Sequence, residues 1–348
     1  MRYFIGLILA LALGVMGCSD SGDMDSKYDV RVMSLRPGNG TDYDQAADAQ
    51  TLGELLRIGA QIHEETLESD YALRAQAQAD MVLAERPDLI ALAAIIDIEV
   101  TGPGAVGVDQ ISILTEALAE RGLNYSIVSQ QQAMDIPMLP LLHPLCDVED
   151  VGACLIKMNG FDMILKNDDN PDLEVSNPQA AYFDNQVYFP TPAGDISFNR
   201  GWVSIDVVVN GERDFRLVNT RVDRATYEDV QALQVQELID GPSNFDGGVV
   251  LAFTSNSAGG TSSALDTLMG AGYEDTDITG APDPTCCQVP QLTNPESQLD
   301  QRDTYVLTKG EFRAGGTYLM GDEPLQSEHP YWQSIHAQVF ADVRVLPD

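Results

Sequence analysis

Apolar and polar positions alternate along Val30-Arg31-Val32-Met33-Ser34-Leu35, the period of a half-buried strand, and a Pro/Gly/Asn turn over 37–40 follows. Helical spacing then runs from Thr51 to Ile62 and from Tyr71 to Arg86, the second through Leu73, Ala77, Met81 and Ala84. Pro87 cannot continue that helix, and Leu89 to Ile96 is a near-continuous apolar run, as in a strand buried on both faces. Ile111, Leu114, Leu118 and Leu123 mark a further helix ending near Gly122. Short apolar runs predict strands at 125–128, 161–165, 202–209, 215–219, 248–253, 304–307 and 338–345. Asn210-Gly211-Glu212 joins two of them as a hairpin, and helices are expected over Thr226 to Ile239 and Ser262 to Met269. No stretch reads as an interdomain linker, so residues 28–348 are expected to form one domain.

The N-terminus has a different pattern. Arg2 precedes an apolar run from Tyr3 to Met16 that is too short to span a bilayer and matches the apolar part of a signal peptide. Val15-Met16-Gly17-Cys18 resembles a bacterial lipobox, which implies lipid on Cys18, a signal peptide over 1–17 and a polar tether over 18–27. Ser19 rather than Asp after Cys18 points to an outer-membrane address in the cell envelope. Export to an oxidising compartment permits disulfides among Cys146, Cys154, Cys286 and Cys287. Three pairings are open; Cys146–Cys154 closes the shortest workable loop, whereas joining the adjacent Cys286 and Cys287 would strain the backbone. Paired CxxC motifs at zinc spacing are absent.

Charge narrows the partners. The chain has 348 residues, with 54 Asp+Glu against 19 Lys+Arg and a formal charge of −35. A body this acidic repels nucleic acid unless a local basic pocket intervenes, so no nucleic acid is expected as partner. Fifteen of the basic residues are Arg and four are Lys. Other chemistry is thin: His63, His143 and His329 have no partner at metal-ligand spacing. Asp168-Asp169-Asn170-Pro171-Asp172 begins like a calcium loop, but Leu173 stands where the loop needs Gly and Pro171 interrupts it, so a solvated acidic turn is expected.

Several segments, in order, resemble the endonuclease/exonuclease/phosphatase family. They are Arg31-Val32-Met33-Ser34-Leu35, Arg86-Pro87-Asp88-Leu89-Ile90-Ala91-Leu92, Val218-Asn219-Thr220, Val249-Val250-Leu251-Ala252 with Asn256-Ser257, Arg302 with Tyr305-Val306-Leu307, and Trp332-Gln333-Ser334-Ile335-His336-Ala337. Arg200-Gly201-Trp202 and Thr285-Cys286-Cys287-Gln288 look like a lipoprotein branch of it. The resemblance implies an α/β (α+β) fold, a four-layer αββα sandwich of two mixed sheets flanked by helices, deoxyribonuclease I-like. It also implies Mg²⁺-dependent hydrolysis of phosphoesters, with a Glu and an Asn holding the metal, an Asp orienting water and two His stabilising the phosphorane.

Position by position, this chain departs from that set. The first-strand Asn is Arg36, the metal Glu is Ala94, the His after Asn-Thr is Arg221, the water-orienting Asp is Thr254, and the Asp before the final His is Ile335. Only Asn256 and His336 match the catalytic pattern, and Phe253 replaces a Gly where it would crowd the site. Without the Glu no carboxylate is evident to hold Mg²⁺, and His336 lacks its acid partner. Asp97, Glu99 and Asp303 are nearby acids, but strand parity turns Asp97 and Asp303 away and all three read as solvated loop acids.

Three functions follow. The first is a lipid-anchored, non-catalytic binding protein, a pseudoenzyme with no cofactor, whose Arg36 and Arg221 hold a small anion or an acidic group of a partner, or else pair with neighbouring acids. The second is a divalent-metal-dependent phosphodiesterase, phosphatase or nuclease with rerouted ligands, for which Mg²⁺ is the cofactor. The third is a surface protein that uses the scaffold without its pocket. Cys18→Ala is expected to move the protein from the membrane fraction to the soluble one on cell fractionation; unchanged membrane association would rule out lipid anchoring.

Overall fold

The computed structural model describes residues 26–103, 106–142, 153–257, 263–280, 283–325 and 329–346. Cys18, His143 and Cys146 lie outside the described residues.

Local chemistry sets the element ends. Strand β1 (Asp29–Leu35) is followed by helix α1 (Leu52–Glu68), started by a capping box in which Thr51 and Glu54 satisfy each other's backbone N–H. Helix α2 (Tyr71–Glu85) ends at Arg86, in the left-handed region with φ 45°, immediately before Pro87. Next come β2 (Leu89–Thr101), β3 (Val108–Asp109), α3 (Gln110–Glu120), β4 (Tyr125–Pro140) and β5 (Leu155–Asn167). Strands β6 (Leu173–Tyr182), β7 (Tyr188–Thr191), β8 (Gly194–Ser197), β9 (Gly201–Val209) and β10 (Arg213–Arg221) follow. Asn210 and Gly211, at φ 54° and 66°, make the tight β9–β10 turn expected of an Asn-Gly pair. The chain continues through α4 (Glu228–Asp240), β11 (Gly248–Thr254), α5 (Ser263–Gly270), β12 (Glu274–Asp275), β13 (Thr304–Lys309), β14 (Phe312–Met320) and β15 (Gln338–Val345).

Two mixed sheets result. One runs β14-β15-β1-β2-β5-β4 with β3 paired to β2, the other β12-β13-β11-β10-β9-β6, and β7-β8 form a separate ribbon. In each sheet one central pair is parallel, β1 with β2 and β10 with β11, while the flanking strands are antiparallel. Alternation along β1 explains the layering. Val30 and Val32 face the second sheet and share a core with Ile205, Val207, Val250 and Val306, whereas Met33 and Leu35 face α1 and α2. Leu217 and Phe215 of β10 complete that inter-sheet layer. On the far side of the second sheet, Val218, Val249, Leu251 and Phe253 pack under α4 and α5 through Val235, Leu238, Ala264 and Leu268. The order is helices, sheet, sheet, helices: the four-layer αββα sandwich. Among the described residues no helix is long and apolar enough to cross a membrane.

The structure adds elements that the apolar pattern did not announce. Strand β2 runs past Ile96 to Thr101, and β4 and β5 extend well beyond their apolar runs, because they pair with one another along their whole length. Strands β6 and β14 and the β7–β8 ribbon have mostly half-buried or exposed side chains, so they present no apolar stripe to read. Gly201 opens β9 because a Cβ there would overlap the Ala181 carbonyl oxygen.

The cysteines depart from one expectation. Cys286 and Cys287 are disulfide-bonded to each other and joined by a cis peptide, although adjacency argued against that pairing. Cys154 is buried and disulfide-bonded, while its expected partner Cys146 is outside the described residues.

A bulge in β2 fixes how the sheets dock. Leu92 opposes Met163 and Ile95 opposes Phe161, so Ala93 and Ala94 share one partner position, Asp162. The buried Asn219 of β10 reaches across the sandwich, its Nδ2 donating to the Leu92 and Met163 carbonyls at 2.9 Å each. Asn219→Leu is expected to remove about 2 kcal/mol or more of stability, because both carbonyls lose this donor. Urea unfolding checks this, and a loss below about 0.5 kcal/mol would show that the bridge is dispensable.

Candidate functional site

The C-terminal ends of the parallel pairs β1/β2 and β10/β11 point to the same end of the sandwich, where loops of both sheets meet. The antiparallel β13 and β15 start at that end, so Asp303 and His336, just before them, arrive there too. A cleft of about 290 Å³ opens between these loops, lined by Arg36, Ala94, Arg200, Arg221, Asn256 and Ile335 among others. A larger groove of about 460 Å³ lies around the start of β1, but its side chains are engaged with one another: Arg31 bonds Asp342 and Glu85, and Arg344 bonds Asp29.

The loop carrying Arg36 is held from beneath. Arg74 of α2 is fully buried and donates to the carbonyls of Pro37, Gly38, Ser69 and Gln333, with no carboxylate among these acceptors. Gln78, one helical turn on, donates to Pro37 and Gln333 as well. The loop after β1 and the segment before β15 are thereby tied to the same helix. Gln338 Oε1 also accepts from the Arg36 amide, and Ser334 Oγ donates to the Arg36 carbonyl.

Three arginines of the cleft are each matched by a buried aspartate. Arg36 Nη1 is 3.3 Å from Asp303 Oδ2, and Arg200 Nε is 3.2 Å from Asp223 Oδ1. Arg221 grips Asp162 with two bonds, Nε to Oδ1 at 3.0 Å and Nη2 to Oδ2 at 3.2 Å, and Ala94 N donates to the same Oδ1 at 2.8 Å. Burial pushes the Arg36 guanidinium down to about 10, with Asp303 pulling it back up and the nearby Arg221 and Arg200 pushing it further down. It stays charged at neutral pH. Arg200 is lowered by the same burial and by Arg221. Arg224, more open, pairs with Asp44 at the rim.

Several sequence expectations change here. Asp303 does not face away as a solvated loop acid: it is 4% exposed and contacts both Arg36 and His336. Strand parity failed because β13 begins only at Thr304, and Asp303 is placed instead by its amide donating to Thr285 Oγ1. Burial pushes the Asp303 carboxyl up, but His336 and Arg36 outweigh it and hold it well below the usual carboxylate range. His336 therefore has an acid beside it after all, Asp303 Oδ1 lying 3.3 Å from Nδ1, although the residue before it in the chain is Ile335. Burial and then Arg36 lower the His336 imidazole, against the pull of Asp303. Carboxylates are present at the cleft, contrary to the expectation: Asp42 and Asp44 line it, and Asp162 and Asp303 are buried against its arginines.

Phe253 does not crowd the cleft. Its ring turns to the outer helical layer and packs near Tyr305. Asn256 does line the cleft, at φ 47°, its Nδ2 donating to the Val222 carbonyl at 2.6 Å. Thr254 is buried at the end of β11, and Ile335 borders the cleft. Asp97 and Glu99 lie further along β2, where Asp97 opposes Asp109 and Glu99 accepts from Asn159. Arg36 and Arg221 each pair with a neighbouring acid. His63 is buried against the Val106 carbonyl, and Asp168 and Asp169 form an exposed turn.

The sequence reading missed Asp162, Arg200, Asp223 and Arg74. Asp162 had a signal: an acid inside the apolar run Phe161 to Leu165 must be paired if that strand is buried.

Solved structures of the endonuclease/exonuclease/phosphatase family share this fold. A Bacteroides vulgatus member is 12% identical, with 91% of this chain and 99% of that one covered and a TM-score of 0.55. A Beutenbergia cavernae member is 20% identical over 91% of this chain and 72% of its own, with a TM-score of 0.52. The mannosyl-6-phosphatase of Bacteroides thetaiotaomicron is 13% identical over 90% and 99%, with a TM-score of 0.54. No family model matches the chain, and no curated protein does. The architecture is the deoxyribonuclease I-like sandwich implied by the sequence resemblance.

Asp162→Ala is expected to cost about 3–5 kcal/mol, because it strands the Arg221 guanidinium in a buried site. Replacing both partners, Asp162→Ala with Arg221→Met, should recover much of that loss. Equal losses in the single and double variants, measured by denaturant unfolding, would show that the ion pair is not the source.

Proposed function

We propose that this chain is an envelope lipoprotein, anchored through Cys18, whose phosphoesterase-like scaffold serves binding rather than catalysis. One observation carries the reading. Ala94 stands where the sequence resemblance puts the metal-holding Glu, and the carboxylates near it and near His336, Asp162 and Asp303, are each engaged by an arginine. Mg²⁺ prefers an octahedral oxygen shell with one or two carboxylates free to bind it. Here the Arg221 guanidinium bonds both oxygens of Asp162, and Arg36 takes one oxygen of Asp303, whose other oxygen accepts from Thr285 and Thr304. The residues present do not fit Mg²⁺, so no hydrolytic step through it is derived.

The cleft instead offers hydrogen-bond donors. A guanidinium carries five N–H groups, and each aspartate contact of Arg36, Arg200 and Arg221 uses only one or two of them. The buried pairs are charge-balanced, so a bound carboxylate or phosphate meets donors without displacing a metal. The surrounding charge of −35 disfavours extended polyanions and favours a small anion or one acidic side chain of a partner.

The contact between Asp303 and His336 favours a second reading, a phosphoesterase with rerouted ligands, since it supplies the acid-paired His that such chemistry uses. The two readings separate on turnover and on binding. The purified chain is expected to show no EDTA-sensitive hydrolysis of p-nitrophenyl phosphate or of its diester above a no-protein control. Inorganic phosphate is expected to bind in calorimetry, about tenfold more weakly to Arg200→Gln. Robust Mg²⁺-dependent turnover would overturn the non-catalytic reading, and phosphate binding unaffected by the Arg200 substitution would place the anion elsewhere.

A further inference from the structure

Three chain segments far apart in sequence bring sulfur, nitrogen and oxygen ligands to one point beside the cleft. Cys286, Cys287, Asp303 and His336 each offer one ligand atom, and all four atoms lie within 4.8 Å of one another. Backbone pairing holds the segments: Cys286 bridges both Gln301 and His336, and Ala337 N donates to Thr285 O at 2.9 Å. Cys286, Asp303 and His336 are buried, whereas Cys287 is exposed and gives the cluster an opening to solvent. His336 Nδ1 is buried, has no assigned hydrogen-bond partner among the described residues, and lies 3.3 Å from Asp303 Oδ1. A buried ring nitrogen left unbonded next to two sulfurs and a carboxylate is arranged as a metal ligand is.

We propose that Cys286, Cys287, Asp303 and His336 form a binding site for one thiophilic divalent cation of the zinc class when the two sulfurs are reduced. This proposal is independent of the anion-binding reading above. Four protein ligands of the S₂NO type match the tetrahedral preference of zinc, with bonds of about 2.0–2.3 Å and neighbouring ligand atoms roughly 3.3–3.8 Å apart. The two sulfurs, bonded to each other here, must part on reduction, and the other ligand atoms, no more than 4.8 Å apart, need to close in by up to about an ångström. Two thiolates and a carboxylate bring three negative charges; the cation supplies two positive charges, and Arg36, 3.3 Å from the other Asp303 oxygen, supplies the third. Arg36 thereby acts as an outer partner that orients the carboxylate. Hard cations such as Mg²⁺ are excluded by the same ligand set, because they take oxygen.

The dithiol form is reached with a water-soluble phosphine. The S–S bond breaks, phosphorus is oxidised to the phosphine oxide with the oxygen of water, and the two protons of that water end on the two sulfurs. Binding of the cation then releases both protons to the buffer.

Co²⁺ is the probe, added to the phosphine-reduced mature chain with circular dichroism confirming the fold. A thiolate-to-cobalt charge-transfer band saturating at one equivalent, bleached by Zn²⁺, is expected, and the unreduced chain should give no band. Cys287→Ser, at an exposed position, should weaken binding by about 100-fold or more, and His336→Gln by about 10- to 100-fold. A folded, reduced chain with no such band, or a band that survives Cys287→Ser, would overturn the proposal.

Discussion

The buried contact between Arg221 and Asp162 joins the two sheets at the end where the cleft opens. Arg221 ends β10 in one sheet, Asp162 lies within β5 of the other, and the bulge at Ala93 and Ala94 supplies the amide that completes the carboxylate's bonding. Taking such a pair out of water is costly, and the pair is stable only when its geometry and remaining hydrogen bonds are good. Those bonds are in place here. The cleft has its shape because both sheets are pinned at this point and, beside it, by Asn219.

Charge balance in the cleft follows from the same arrangement repeated. Asp162, Asp223 and Asp303 each meet one arginine, so a strongly acidic protein contains a cleft whose buried charges cancel. A cation-binding site of the phosphoesterase kind needs an excess of carboxylate, whereas the buried charges here pair one to one. The guanidinium groups there only donate hydrogen bonds. The cysteine sulfurs of Cys286 and Cys287 lie within 4.8 Å of an Asp303 oxygen.

Much of the fold was legible in the chain. The apolar runs of β1, β2, β9, β10, β11 and β15 are buried on one or both faces, and burial is what writes an apolar run into sequence. Strands β6 and β14 were not legible, since their pairing is by backbone and their side chains are partly in solvent. The cleft residues Arg36, Ala94 and Arg221 could be named from local motifs. Their partners could not, because Asp162 and Asp303 reach them across the sandwich and from outside a strand, where neither period nor spacing gives an address.

The bulge at Ala94 bears on the order in which such a site can change. Ala94 N is already bonded to Asp162, so a glutamate introduced at Ala94 would put a second carboxylate against the first, with one arginine to serve both. Asp162 cannot be removed first without stranding Arg221, and Arg221 cannot be removed first without stranding Asp162. Each single step toward a glutamate at this position thus passes through a less stable protein. The ion pair works as a ratchet: with both partners in place, drift one residue at a time does not undo it.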